Sequence, residues 1–292
     1  MNGIMSASAF SRASAVARRL ALAIVALNFG VASSLLAAAP AADLALCDRF
    51  AADPADPEKP AEVKGTAEIA ASDVTLALKY CKAAAPAGRR ALYQLGRVYA
   101  AAEQWPQAIA SYRKAADQGE SSAMVELGVM LANGTGGAKN LIEAQALFER
   151  AAATGNPRGI VNLVALADNG GPAVDPVRAR TLLAQAAAMN SAEAQFRLGV
   201  MAANGVGGAK DEVAARRLFE KAAAQNHVGA LEWAGAFAQG GRGGPPDKAA
   251  AKAYYERAAA LGDDNAKAAL KRLECPLMLS DKRGNLLTDL CF

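Results

Sequence analysis

An all-α fold is what this sequence predicts: a right-handed α-solenoid of about five helix-pair repeats between an N-terminal helical cap and a C-terminal arm. Three observations carry that expectation. An Ala-Ala pair followed by Gly or Asn recurs at Ala115-Ala116, Ala151-Ala152, Ala186-Ala187, Ala222-Ala223 and Ala258-Ala259, in steps of 36, 35, 36 and 36 residues. A fixed period in this range marks stacked helix pairs. A second landmark lies 20 to 24 residues before each pair, at Leu95-Gly96, Leu127-Gly128, Leu163-Val164, Leu198-Gly199 and Ala234-Gly235. Finally, alanine dominates and aromatics make up only 5% of the chain, which suits closely packed helices and gives little support to a β-rich fold.

Residues 1–42 read as an export signal. Arg12, Arg18 and Arg19 form a basic start, Leu20 to Leu36 is an apolar run broken only by small residues and Asn28, and Ala39-Pro40-Ala41 offers an A-x-A cleavage site. The alternative is an uncleaved anchor helix, since the run is nearly long enough to span a bilayer. Without those three arginines the chain holds 29 basic against 28 acidic residues, so the sequence pI of about 8.9 reflects the leader. Near-neutral charge in the remainder argues against nucleic-acid binding. Periplasmic or secreted bacterial localisation, with no integral membrane span after cleavage, is the expectation.

Residues 43–88 read as a helical cap. Leu44 to Ala52 and Ser72 to Ala85 suit helices, with Ser72 as N-cap and Asp73 in the first turn. Asp53-Pro54, Asp56-Pro57 and Lys59-Pro60 form the loop between them. Four cysteines, Cys47, Cys81, Cys275 and Cys291, fit an oxidising compartment and lack metal-ligand spacing. Three pairings are possible. Two cysteines before the repeats and two after favour Cys47–Cys81 and Cys275–Cys291, each closing a local loop worth roughly 3 kcal/mol. The second bridge would tie back the arm, residues 274–292, in which Leu277 to Ser280 and Leu286 to Thr288 suggest a short hairpin.

Residues 89–273 hold the repeats. Gly-rich breaks at 133–137, 204–208 and 239–244 end each first helix, with Asn169-Gly170-Gly171-Pro172 in the third unit. Asn140, Asp175, Asp211 and Asp247 then begin each second helix. Apolar spacing continues through Ala144, Leu147, Phe148 and Ala151, and again through Ala215, Leu218, Phe219 and Ala222. This pattern, Ala-x-x-x-Leu-Gly, Gly-x-Gly, an acid, Ala-x-x-Phe/Tyr and Ala-Ala-x-x-Gly, resembles the Sel-one-like repeat family, a relative of the tetratricopeptide repeat. Units starting at Ala123, Ala194 and Ala230 match well, whereas the unit at Ala91 looks more like a plain tetratricopeptide unit. The unit around Gly159 departs most, with Val164 in place of the packing glycine. A cysteine-aspartate opening before such repeats looks similar to exported repeat proteins of alphaproteobacteria.

The resemblance implies a non-enzymatic scaffold or regulator that binds a peptide or protein and works without a cofactor as a monomer or weak oligomer. Exported proteins of this type include regulators of envelope signalling. In the tetratricopeptide relatives, first-helix residues two before and two after the conserved Leu line a concave groove. Here those positions are Tyr93 and Arg97, Val125 and Val129, Val161 and Ala165, Phe196 and Val200, and Glu232 and Ala236. An apolar centre flanked by Arg97 and Glu232 suits an extended peptide or a helix.

A hydrolase acting on cell-wall or β-lactam substrates is the alternative. Ser111-Tyr112-Arg113-Lys114 matches S-x-x-K, but the partner motifs S-D-N and K-T-G do not occur. Cysteine-rich family members that carry a β-lactamase label place a cysteine pair within each repeat, and these repeats have none. Phosphate-cradling loops follow a strand, whereas these glycine loops follow helices. The single histidine, His227, falls in a turn between units without a nucleophile or metal partner in sequence.

Overall fold

The computed structural model describes residues 41–274, 277–280 and 286–290. The expected leader falls almost wholly outside the described residues, and the expected Cys275–Cys291 bridge lies outside them entirely. The chain forms two compact units, residues 1–120 and 121–292. Helices make up the described secondary structure of both, apart from one antiparallel strand pair. This is the all-α repeat architecture that the 36-residue period predicts.

In the first unit, residues 41–51 form α1, Val74–Ala84 α2, Arg89–Ala101 α3 and Trp105–Asp117 α4. Cys47 of α1 is bonded to Cys81 of α2, with 4.8 Å between their Cα atoms. The bridge is fully buried, in one cluster with Ala51, Ala77, Ala84, Ala91, Leu95 and Val98. Asp53 and Asp56 each accept a bond from the backbone N–H two residues on, giving successive Asx turns in the Asp-Pro loop. The start of α2 differs from expectation. Its N-cap position is Asp73, without a side-chain cap bond, and the Ser72 hydroxyl donates to the Asp73 carboxylate at 3.3 Å.

In the second unit, first helices α5 (Ser121–Asn133), α7 (Pro157–Ala165), α9 (Ala192–Asn204) and α11 (Val228–Gly240) alternate with second helices. These are α6 (Leu141–Ala153), α8 (Pro176–Ala188), α10 (Glu212–Ala224) and α12 (Lys248–Ala260), and α13 (Asp264–Glu274) follows. Strands β1 (Leu277–Ser280) and β2 (Leu286–Leu290) pair antiparallel, Leu277 opposite Leu290. The second strand runs two residues beyond the expected Thr288.

Polar residues start the helices where the sequence places them. Asn140, Asp175, Asp211 and Asp247 each accept the N–H of the residue three further on, at 2.8 to 3.1 Å. Each such cap contributes about 1 kcal/mol. At the other end of the second helices, Gly155, Asn190, Asn226 and Gly262 all adopt positive φ, from 61° to 94°. The left-handed turn there explains why the Ala-Ala beat is always followed by Gly or Asn, the residues that tolerate it.

The Leu-Gly landmark has an equally specific cause. A Cβ on Gly128, Gly199 or Gly235 would lie 2.5 to 2.7 Å from a ring carbon of Phe148, Phe219 or Tyr255, on the paired second helix. Each glycine therefore makes room for an aromatic ring. The third repeat solves the same space with Val164 against the fully buried Leu183. There α7 stops at Ala165 and tightens into a 3-10 turn over Leu166–Asn169, whereas α5, α9 and α11 each run 13 residues.

Glycine loops also join successive repeats. A side chain on Gly207 would strike the Pro176 carbonyl, and one on Gly243 the Glu212 carbonyl, at the start of the preceding second helix. Arg180 donates to the carbonyls of Val206 and Ala209, and Arg216 to that of Pro245. Loop and helix start are thus held together by backbone contact and a guanidinium.

Candidate interaction surface

Helix α3 shows what its exposed-side residues do when a chain lies against them. Tyr93 donates to Asp53 at 2.6 Å, and Gln94 donates to Asp48 at 2.6 Å. Arg90 pairs with the other Asp48 oxygen at 3.0 Å. Arg97 donates to three backbone carbonyls, those of Ala51, Thr66 and Ala67, at 2.8 to 2.9 Å. Residues 48–67 of the chain itself therefore cover this face. Tyr93 has no exposed surface as a result, and Arg97 is half-buried.

The second unit carries the remaining groove positions. Val125 is fully buried in α5. Val129, Val161, Ala165, Phe196, Val200 and Glu232 keep part of their surface in solvent, and Ala236 is exposed. Phe196 is also a packing residue. Its ring stacks on His227 at 4.8 Å, meets Trp233 edge-on at 6.5 Å, and lies over Gly229, where a Cβ would come within 3.1 Å. Trp233 in turn packs on Phe219 at 5.2 Å. This aromatic cluster joins α9, α10 and α11. Groove spacing alone misses Trp233; its helical spacing to Phe237 and the density of rings near 196, 219 and 233 are the signal in the sequence.

Charges on this face are mostly matched. Arg158 of α7 pairs with Glu126 of α5. Glu193 accepts from Arg197 at 2.5 Å and from His227 at 2.7 Å. The His227 hydrogen bond, with help from Arg197 and against the opposing effect of burial, holds the Glu193 carboxyl below the usual carboxylate range. His227 does more than occupy a turn: its Nδ1 accepts the Ala230 N–H at 3.1 Å and caps α11. Glu232 differs. Burial, reinforced by Asp263, pushes its carboxyl up, and among the described residues no cation pairs with it.

Between α5 and α7 lies a cleft of about 190 Å³. Ala132, Phe148 and Leu166, all buried, make its floor, and Val129, Ala165, Asn133 and Asn162 line the rest. Val129 and Ala165 are two of the groove positions read from the sequence. Ser111 and Lys114 belong elsewhere: on α4, Ser111 is buried and Lys114 faces solvent.

Helix pairs in a 36-residue register, locked by glycine–aromatic contacts and presenting one row of first-helix side chains, define an α-solenoid repeat protein. The chain belongs to the Sel1 repeat family. The family model matches residues 106–120, 121–156, 165–191, 192–227 and 230–263, together just over half of the sequence. Among solved structures, it is similar to a protective antigen of uropathogenic Escherichia coli that displays an SLR fold. The identity is 26% and the TM-score 0.65, over 74% of this chain and 46% of the antigen. The present chain thus spans less than half of that protein. A Sel1 repeat protein from Oxalobacter formigenes shares the fold at 24% identity and a TM-score of 0.62, over 70% of this chain and 84% of its own. No curated protein matches the sequence.

Proposed function

We propose that this chain is an exported, non-enzymatic interaction scaffold whose second unit holds a peptide or partner protein against α5, α7, α9 and α11. Sel1 repeats generally mediate protein–protein interaction, and the family is typically a non-enzymatic scaffold. One observation supports the reading most. In the first unit the groove residues of α3 already hold a length of chain through side-chain bonds to its carbonyls and carboxylates, while the same register positions on the second unit, Val125 apart, keep surface in solvent. A surface of this kind recognises an extended segment by its backbone and by alternate side chains. The leader-like residues 1–42 and the Cys47–Cys81 bridge support a periplasmic or secreted setting. No described helix is long and apolar enough to cross a membrane. A regulator of envelope signalling is the specific role we favour.

Photocrosslinking tests the reading. A photoreactive residue at Val161 or Val200 should capture one discrete partner in cells, whereas one at the exposed Ile142 of α6 should not. Equal capture at all three positions, or capture at none, would overturn the scaffold reading. A nitrocefin assay addresses the hydrolase alternative, with saturable turnover lost in Ser111→Ala as the result that would favour it.

A further inference from the structure

We infer that the face of α9 and α11 takes an arginine side chain of the bound segment, its guanidinium meeting Glu232 beside the Trp233 ring. The inference rests on the scaffold reading and names one residue type that the surface grips. Charge decides it. Helices α5, α7, α9 and α11 carry the charged side chains Glu126, Arg158, Glu193, Arg197 and Glu232. Four of them are matched within the chain, Arg158 with Glu126 and Arg197 with Glu193. Glu232 is left over, so the row of first helices carries one uncompensated negative charge at a defined place. Its surroundings make that charge unfavourable. The carboxyl is partly buried, and the neighbouring group is Asp263, the cap of α13, a second acid; burial first and Asp263 second push it above the usual carboxylate range. A cation brought by the partner offsets burial and repulsion together.

Aromatic surface lies alongside. Phe196 holds on α9 the register position that Glu232 holds on α11, 36 residues later. Trp233, next to Glu232 in the chain, meets Phe196 edge-on at 6.5 Å. Both rings keep part of their surface in solvent, as does Val200 one turn further along α9. A guanidinium is planar and more weakly hydrated than an ammonium. It can lie on an aromatic face while its N–H groups reach a carboxylate, so arginine is favoured over lysine. The chain builds this arrangement once for itself. Arg242 lies over the Phe237 ring at 4.0 Å and donates through Nε and Nη2 to Glu212 at 3.0 to 3.1 Å. There the ring comes from α11 and the carboxylate from α10. At Glu232 the chain supplies ring and carboxylate, and the partner supplies the guanidinium.

The probe is N-acetyl-L-argininamide, titrated into the ¹⁵N-labelled full chain, with N-acetyl-L-citrullinamide as the uncharged analogue of the same shape. The chain has two tryptophans, Trp105 and Trp233, and Trp105→Phe assigns their indole signals. Saturable shifts of the Trp233 indole and of the Glu232 and Val200 amides are expected. The citrulline compound should bind about fivefold or more weakly, because it brings no charge to Glu232. Glu232→Gln should lower binding of the arginine probe to the citrulline level while the thermal melt is kept, since it removes only an unmatched charge. Glu256→Gln, at an exposed carboxylate of α12, should leave binding unchanged. Equal binding of the two compounds, undiminished binding in Glu232→Gln, the same loss in Glu256→Gln, or no saturable shift at the three signals would overturn the proposal. Photocrosslinking from Val161 separates the two readings. Capture as strong in Glu232→Gln as in the unaltered chain removes the arginine contact and leaves the scaffold standing. Capture from neither Val161 nor Val200 removes the scaffold, whatever the probe does.

Discussion

His227 performs two tasks with one ring, and both depend on where its proton sits. Nδ1 must be bare to accept the Ala230 N–H, so the proton belongs on Nε2, where it is donated to Glu193. Asn156, Ser191 and Asp263 cap α7, α9 and α13 at the same register with side-chain oxygens, so no ring tautomer is involved there. Replacing His227 with Ala should cost about 1 kcal/mol of stability by loss of the cap, whereas Asn should recover most of it; thermal melts at pH 7 compare the two. Glu193 brings a pH dependence of definite sign. Its carboxyl is lowered in the folded state from an ordinary value of 4.5, so its stabilising contribution is complete above that pH. The contribution is lost as the pH falls below 4.5 through the folded value. Melting temperatures measured from pH 6 to 3 should decline less steeply in Glu193→Gln. An equally steep decline would show that the pair contributes nothing to acid stability.

At the scale of elements, the glycines separate into those that allow contact and those that merely sit in loops. Gly207 combines a φ of 67° with a Cβ position blocked by the Pro176 carbonyl, so Gly207→Ala should destabilise the fold by about 2 kcal/mol or more. Gly137, with nothing within 4 Å, should accept alanine within about 0.5 kcal/mol. Chemical denaturation of both variants checks the contrast, and equal effects would remove the junction its structural role. The third repeat offers a different test. Val164→Gly alone opens a gap and Leu183→Phe alone crowds one, yet together they recreate the glycine–aromatic pair of the other repeats. A double-mutant cycle should therefore show a favourable coupling of about 1 kcal/mol or more. These element-level features were legible because each is a local rule repeated in phase: cap, left-handed turn, glycine opposite ring. The cleft was not, because its lining comes from α5, α6, α7 and Leu166, and no local spacing records how these elements meet.

For the molecule as a whole, stability is distributed unit by unit. The Cys47–Cys81 bridge closes a loop 34 residues apart in sequence, worth about 3 to 4 kcal/mol in the chain-entropy account. In a repeat array each part leans chiefly on its neighbours. Reduction should accelerate amide exchange in α1 to α4 and leave α10 to α12 almost unchanged, which hydrogen-exchange mass spectrometry can read. A uniform loss of protection would contradict this independence. The repeat frame and the first disulfide could be read from the sequence, since both follow from residue spacing. The covering of α3 by residues 48–67 could not. Arg97 recognises carbonyl oxygens, which every residue possesses, so no side-chain pattern announces the contact.

The close approach of Gly207 to Pro176, repeated by Gly243 at Glu212, has a bearing on how such a chain can grow. Because these two loops are fitted to the backbone one repeat behind them, a length change inside either unit misaligns two neighbours at once. A tandem duplication of residues 192–227 keeps the kind of cap and loop contact at the new seam: His227 would cap the copied helix in place of Ser191, and the copied Gly207 would meet Glu212 instead of Pro176. Whole-unit duplication is thus the route by which this architecture lengthens its surface without inventing a new joint.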